Sequence, residues 1–364
     1  MVGYNGRVSL KRELESPASP IRRFLDRRLP GATAVLDPWR KALRNVRPHL
    51  PPTDPSGGPT PNAVLGHAIN ARVSWDFAPA DRPDTRAGGR RLIADGASAA
   101  VIDEVLARLA GPIPQHPYDA ARLAWFAGLF DRAERSQRWD EDWYQPILTA
   151  ETADELLLQV PAHWAADIVA VERAATRSLA ELHGERRDPR DQRPDATHGD
   201  LSSGATSDDR TDQHDPNADL EPAAADLEPT AADGDTNVDT EAEARAGAPS
   251  SSPPPPAVVG ATFAGSDLVG GAEADLVANR TVVDFKLTAT TKTRLRDLHQ
   301  VLTLALLDFD DAYGITHVAL APVRFGVLVR WDLAELIDQL ADRPTDLADL
   351  RLDLRDHLER AVGA

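Results

Sequence analysis

Residues 273–287 read EADLVANRTVVDFKL, and this stretch decides how the last third of the chain folds. Two runs rich in apolar and β-branched residues flank the pair Asn279-Arg280. Such a pattern predicts a β-hairpin with a two-residue turn at that pair. In this register Ala278 lies opposite Thr281, and each further pair is one residue farther from the turn on both strands. A four-residue loop centred at the same place keeps the register.

The register brings charged side chains together. Counting outward from the turn pairs Asp275 with Asp284 and then Glu273 with Lys286. Because side chains alternate between the two faces of a strand, Asp275, Asp284 and Lys286 are expected on one face. The other face carries the apolar residues Val283, Phe285 and Leu287, which can meet a core.

Two carboxylates that face each other repel, so the arrangement favours a positive charge between them. A divalent cation held by Asp275, Asp284 and the carbonyl of Phe285 would supply it, with water completing the octahedron. Lys286 would then lie beside metal-bound water, where it could orient or help deprotonate that water and stabilise charge on a phosphate. The simpler interpretation is a solvated strand face with an ion pair between Glu273 and Lys286, worth about 0–1 kcal/mol.

The spacing resembles a known signature. Asp275, eight intervening residues and Asp284-Phe285-Lys286 resemble the motif of the PD-(D/E)XK nuclease superfamily, and the approach to Asp275 through Gly270-Gly271 is similar to that of RecB-like members. The resemblance implies a restriction-endonuclease-like mixed-sheet core, hydrolysis of phosphodiester bonds and Mg²⁺ or Mn²⁺ as cofactor. It covers roughly residues 260–331.

RecB-like members add two further residues. A Gln follows the motif on a helix, and Gln300 lies 14 residues after Lys286, although position 304 is Leu where these members have an aromatic residue. An upstream helix supplies a His to the metal in these members. His67 is the candidate here, and Asn70, one turn away on the same face, is the alternative that could reach the metal. The resemblance therefore implies Gln300 as an active-site residue and His67 as a metal ligand. Equally, Gln300 can be a polar residue at a helix edge and His67 a structural histidine.

Composition divides the chain into three regions. Residues 1–183 are predicted to be a helical, partly basic N-terminal region that packs on the core, and residues 258–364 the mixed α/β nuclease-like core with closing helices. Between them, residues 184–257 hold 18 acidic and 6 basic side chains and contain no aromatic residue. Such a segment cannot bury enough apolar area to fold, so we expect a disordered acidic insert.

Charge and composition also limit the function. The chain has no cysteine, which excludes disulfides, thiolate zinc sites and iron–sulfur clusters. Its net charge is −18, yet residues 1–50 carry a net charge of +7 and remain suited to phosphates. No apolar run is long enough to cross a membrane, so a cytoplasmic protein with no membrane partner is expected. The candidate phosphate-binding side chains, which could equally be solvated helix faces, are Arg22, Arg23, Arg27, Arg28, Arg40, Lys41, Arg44 and Arg47.

Three hypotheses follow from these patterns. The first is a Mg²⁺- or Mn²⁺-dependent nuclease that acts on DNA in repair or phage defence, with a helicase or a defence-system subunit as a candidate protein partner. The second is an inactive nuclease-fold subunit that binds DNA or a protein. The third is a helical adaptor whose acidic insert mimics nucleic acid or recruits a basic partner, a hypothesis that deletion of residues 184–257 would test. No phosphate-binding Gly-Lys-Ser/Thr loop is present, so the chain is not expected to hydrolyse ATP.

Overall fold

The computed structural model describes residues 10–31, 33–49, 62–77, 85–135, 147–184 and 257–363. The described residues before and after the acidic segment belong to one compact unit. The segment predicted to be disordered, 184–257, lies outside the described residues apart from its two end positions.

A helical first half precedes a mixed sheet, as the patterns predicted. The strands are β1 (Val258–Thr262), β2 (Glu273–Ala278), β3 (Thr281–Lys286), β4 (His317–Pro322) and β5 (Val329–Asp332). The helices with defined bounds in the first half are α1 (Leu10–Glu15), α2 (Pro20–Arg28), α3 (Asp37–Leu43), α4 (Asn62–Phe77), α5 (Arg86–Ala94), α6 (Ala99–Ala110), α7 (Pro117–Arg135), α8 (Ala153–Leu158) and α9 (Ala162–Gly184). The later helices are α10 (Leu295–Leu306), α11 (Leu333–Ala341) and α12 (Leu347–Val362).

The five strands lie in sequence order across one sheet. All neighbours are antiparallel except β3 and β4, which run parallel because α10 carries the chain back between them. Asn279 and Arg280 both have positive φ, 45° and 57°, as a type I′ turn requires. The pairs from Ala278–Thr281 to Leu276–Val283 have the predicted register. A mixed α/β architecture and the hairpin are therefore confirmed.

Helices cover both faces of the sheet. One apolar cluster joins α4–α9 to Leu276 and Val283, and the other joins α1–α3 and α10–α12 to Val277 and Val282. Neighbouring residues of β2 and β3 thus enter opposite cores, as the alternation of side chains requires. Each fully buried Leu or Val contributes about 1.5–3 kcal/mol to folding. The helical first half is therefore part of the same packed unit as the sheet.

Two elements are shorter than the residue pattern alone indicates. The apolar pattern over 152–182 predicts a single helix, but the chain forms two, α8 and α9, because Pro161 lacks an N–H and interrupts the hydrogen-bond ladder. The apolar pattern over 325–331 predicts a strand, but β5 begins only at Val329, after a 3₁₀ turn at Val323–Phe325. Helices α3 and α5 are short, with seven and nine residues, and give only a weak periodic pattern.

Helices α4 and α7 cross at Gly128. A Cβ atom built there would lie 2.5 Å from the Ala68 backbone nitrogen and 2.8 Å from the Val64 carbonyl oxygen. We expect Gly128→Ala to lower the free energy of unfolding by about 2 kcal/mol or more, because two backbones must separate. Denaturant unfolding measures this.

Gly66→Ala is the matched control, since its Cβ would meet only a Leu287 methyl group at 4.0 Å. Ala is the better helix former by about 1 kcal/mol, so this variant should be neutral or more stable. Equal stability of the two variants would show that the close crossing is not required.

Candidate active site

Asp275 is held from two sides at the end of the hairpin. Its Oδ2 accepts a hydrogen bond of 2.7 Å from the backbone N–H of Phe285 on the neighbouring strand. Its Oδ1 accepts one of 2.6 Å from Nδ2 of Asn70, which lies on α4. Asn70 thus brings a helix from the first half of the chain into contact with the hairpin. Of the two upstream candidates, it is Asn70 that makes this contact.

Lys286 lies among three polar side chains. Its Nζ is 2.7 Å from Oδ2 of Asp284, donates to Oε1 of Gln300 at 3.1 Å, and is 3.9 Å from Oδ1 of Asp297. The side chains of Lys286 and Asp284 are only 19% and 7% exposed. A half-buried lysine between carboxylates is not a freely solvated strand face, so the simpler interpretation of this face does not describe it.

Burial changes the proton affinities of these groups. Loss of solvent raises the pKa of Asp284 to about 6, and the nearby Asp275 adds to the rise while Lys286 opposes it. Burial also raises the pKa of Asp275, although the hydrogen bonds from Phe285 and Asn70 lower it in part. Burial alone would lower the pKa of Lys286, but Asp284 and the other carboxylates outweigh it and the net pKa is raised. Burial therefore favours the protonated form of both aspartates, while Lys286 stays an ammonium.

His67 faces a different carboxylate. Its Nδ1 is 2.6 Å from Oδ2 of Asp131 on α7, and its charge when protonated acts only weakly on Asp275. Within the described ranges, no three His, Asp or Glu side chains are grouped so that they could hold a metal ion. His67 and the two aspartates are thus not brought together as one ligand set.

The oxygen atoms at this site are nevertheless ligands that suit a hard cation. Oδ1 of Asn70 is buried and has no hydrogen-bond partner among the described residues, whereas the buried Oδ2 of Asp284 is paired with Lys286 at 2.7 Å. A buried oxygen without a hydrogen bond costs free energy that a cation would recover. Carboxylate, amide and carbonyl oxygens are also the ligands that Mg²⁺ and Mn²⁺ prefer.

Two residues of the site were missed by the sequence analysis. Asp297 caps α10 through Oδ2, which accepts from the Arg294 N–H at 2.9 Å, and its other oxygen faces Lys286. Asp297 is the third residue of the helix and lies three residues before Gln300. This position could have indicated both a helix cap and a side chain on the same face as Gln300. Asp131 gave no signal, because only the crossing of α7 over α4 places it beside His67.

Comparisons with protein-family models, with curated proteins and with solved structures found no match for this chain. In the part of the chain that the structure describes, every helix is too short or too polar to traverse a bilayer.

His299, next to Gln300 on α10, makes the stability depend on pH. Neither ring nitrogen has a hydrogen-bond partner among the described residues, and burial lowers the pKa to about 4. The unfolded chain takes up a proton near pH 6.5 that the folded protein resists, so stability falls as the pH drops from about 6.5 towards 4. Between pH 7.5 and 5 this loss should be about 2 kcal/mol.

The comparison of wild type with His299→Leu isolates that contribution. Denaturant unfolding at the two pH values should show a smaller loss for the variant, by about 2 kcal/mol. His116→Gln is the control, since the His116 side chain is 65% exposed. Parallel pH dependence in wild type and His299→Leu would contradict the assignment.

Proposed function

We propose that this protein is a metal-dependent nuclease with a restriction-endonuclease-like core, and that it hydrolyses phosphodiester bonds in nucleic acid, with DNA as the substrate. The observation that carries the proposal is the convergence of Asp275, Asp284 and Lys286 at the ends of two adjacent strands. Such half-buried groups with perturbed pKa values are typical of catalytic sites. The spacing of these residues, which resembles the PD-(D/E)XK signature, supports the same reaction.

The two aspartates and the carbonyl of Phe285 would hold Mg²⁺ or Mn²⁺. When bound, such an ion lowers the pKa of water and neutralises phosphate charge. Asn70 has a supporting role: by donating to Oδ1 of Asp275 it fixes the carboxylate, while the Phe285 N–H fixes the other oxygen. A carboxylate oriented in this way loses little conformational entropy when it binds a cation.

Lys286 would act as a donor and a positive charge. Its raised pKa keeps it protonated near neutral pH, which makes it a poor general base. Gln300 holds the ammonium at 3.1 Å, so the group can orient a water and stabilise charge that develops on a phosphate oxygen. Orientation of the water and stabilisation of charge are thus favoured over deprotonation of the water.

His67 has one feature that suits a ligand. The Asp131 carboxylate at Nδ1 favours the tautomer with a lone pair on Nε2, the arrangement common in histidines that bind metals. To reach a metal held by the aspartates, Nε2 of His67 would need either a movement of α4 or a bridging water molecule. With that condition, we keep His67 as a metal ligand in the proposal.

A second function deserves the same test, that of an inactive nuclease-fold subunit that binds DNA or a protein. The observation that favours it is the ion pair of 2.7 Å between Lys286 and Asp284, which already supplies a positive charge to the buried carboxylate. If that ion pair is permanent, no divalent cation is needed.

Calorimetric titration with Mn²⁺ separates the two functions. The nuclease should bind the ion, and Asp275→Ala should weaken binding at least about tenfold, because one charged ligand is lost. Glu273→Gln is the control, since Glu273 lies on the same strand and is exposed. If wild type shows no binding of Mn²⁺ or Mg²⁺, the nuclease proposal fails and the inactive subunit is favoured.

A further inference from the structure

Helices α2 and α12 form a basic pocket together with the segment that follows α11. The pocket has a volume of about 320 Å³, near the lower end for small-molecule sites. It is lined by Phe24, Arg27, Arg28, Arg343, Asp353, His357 and Arg360. Four arginines from three separate segments thus converge on one concave surface that contains a single acidic side chain.

Among the described residues, most of these guanidinium groups have no acidic partner. Arg28 forms an ion pair of 2.5 Å with Asp353, which accounts for the one carboxylate. Arg27 and Arg343 make no side-chain hydrogen bond or ion pair with the residues that the structure describes. Arg360 uses its Nε to donate to the Asp356 carbonyl at 2.9 Å, and its terminal nitrogens remain available. Three guanidinium groups can therefore donate into the pocket.

One wall of the pocket is formed by packed rings and is positive. The ring of Phe24 is buried and lies 5.7 Å from the ring of His357, whose Nε2 is 3.1 Å from the Pro20 carbonyl oxygen. Burial lowers the pKa of His357, and Arg27, Arg360 and Arg23 lower it further. These arginines therefore create a positive potential at the wall, and a neutral His357 leaves the guanidinium groups to bind an anion.

We propose that this pocket is a binding site for a phosphate group, formed by Arg27, Arg343 and Arg360. A phosphate offers several charged oxygens, and each planar guanidinium can donate two parallel hydrogen bonds to such a group. A carboxylate carries one negative charge and would leave two of the three guanidiniums without a charged partner. The site does not depend on the proposed nuclease activity, because none of its residues belongs to the cluster at Asp275, Asp284 and Lys286.

Two sources could provide the phosphate, a free nucleotide or a nucleic acid strand. We would titrate the full chain in metal-free buffer of low ionic strength with inorganic phosphate and with AMP. Matched single-stranded oligonucleotides with a 5′-phosphate or a 5′-hydroxyl would follow. Binding of phosphate and AMP with equal strength, and no preference between the oligonucleotides, assigns a free phosphorylated molecule. Preference for the 5′-phosphorylated strand assigns the strand end.

Variants show whether the pocket itself is responsible. Arg27→Gln with Arg343→Gln should weaken phosphate binding about tenfold or more, because two charged donors are lost. Arg355→Gln is the control, since Arg355 lies on α12 outside the pocket and is 3.9 Å from Asp356. The control should change binding less than about twofold. No binding of phosphate or AMP to wild type, or an equal loss in the control, would overturn the proposal.

Discussion

Lys286→Ala should reduce metal-dependent cleavage of DNA by about 10²–10³-fold, because it removes a donor aimed at developing charge. The same variant should keep its affinity for Mn²⁺ or bind the ion more tightly. The ammonium lies 2.7 Å from Oδ2 of Asp284 and competes with any cation for that oxygen. Loss of cleavage without loss of metal binding is a combination that a merely unfolded variant cannot produce.

Lys292→Ala is the matched control for this experiment. Lys292 is the only other lysine in the last third of the chain, and its side chain is exposed. Initial rates of cleavage at saturating Mn²⁺ should be unchanged in this variant. Full activity of Lys286→Ala would remove the mechanism, and loss of both activity and metal binding would assign Lys286 a structural role.

Asp167→Ala should lower the free energy of unfolding by about 3–5 kcal/mol, since it leaves the buried Arg324 without its partner. Arg324 donates from Nη1 and Nη2 to the two carboxylate oxygens of Asp167 at 2.9 and 2.7 Å. The two side chains are 2% and 0% exposed. Arg324 also donates from Nε to the carbonyl of Leu287 at 3.1 Å, so this ion pair links α9 to the residue that directly follows β3.

Two variants test whether the effect comes from the buried charge. Asp37→Ala breaks an ion pair between exposed side chains, Arg40 and Asp37, and should cost less than about 1 kcal/mol. Replacing both partners, as Arg324→Met with Asp167→Leu, should recover much of the stability, because no charge is then left buried. Denaturant unfolding measures all three. A small effect of Asp167→Ala would mean that water reaches the pair.

Local chemistry made the hairpin predictable. The type I′ turn at Asn279-Arg280 fixes the register, and the register in turn fixes which residues share a face with Asp284. Contacts within the hairpin, and contacts between the hairpin and the helix that follows it, join residues that are close in sequence. The ion pair of Lys286 with Asp284 and the hydrogen bond from Lys286 to Gln300 are two such short-range contacts.

Contacts between distant parts of the chain were not predictable in the same way. The hydrogen bond from Asn70 to Asp275 joins residues 205 positions apart, and Asp131 reaches His67 only because Gly128 lets α7 approach α4. The one-turn spacing predicted that His67 and Asn70 share one face of α4, but it did not predict which of them would reach the hairpin. That choice depends on how the helix packs, which no local pattern encodes.

Cleavage of DNA by the purified full chain tests the central claim most directly. Linear and circular DNA, each single- and double-stranded, would be incubated with Mn²⁺, with Mg²⁺ and without divalent ions, beside Asp284→Ala. The proposed site predicts shortened products of at least one substrate that require the ion and are absent with Asp284→Ala. Intact substrates under every condition, or cleavage that persists in Asp284→Ala, would contradict it.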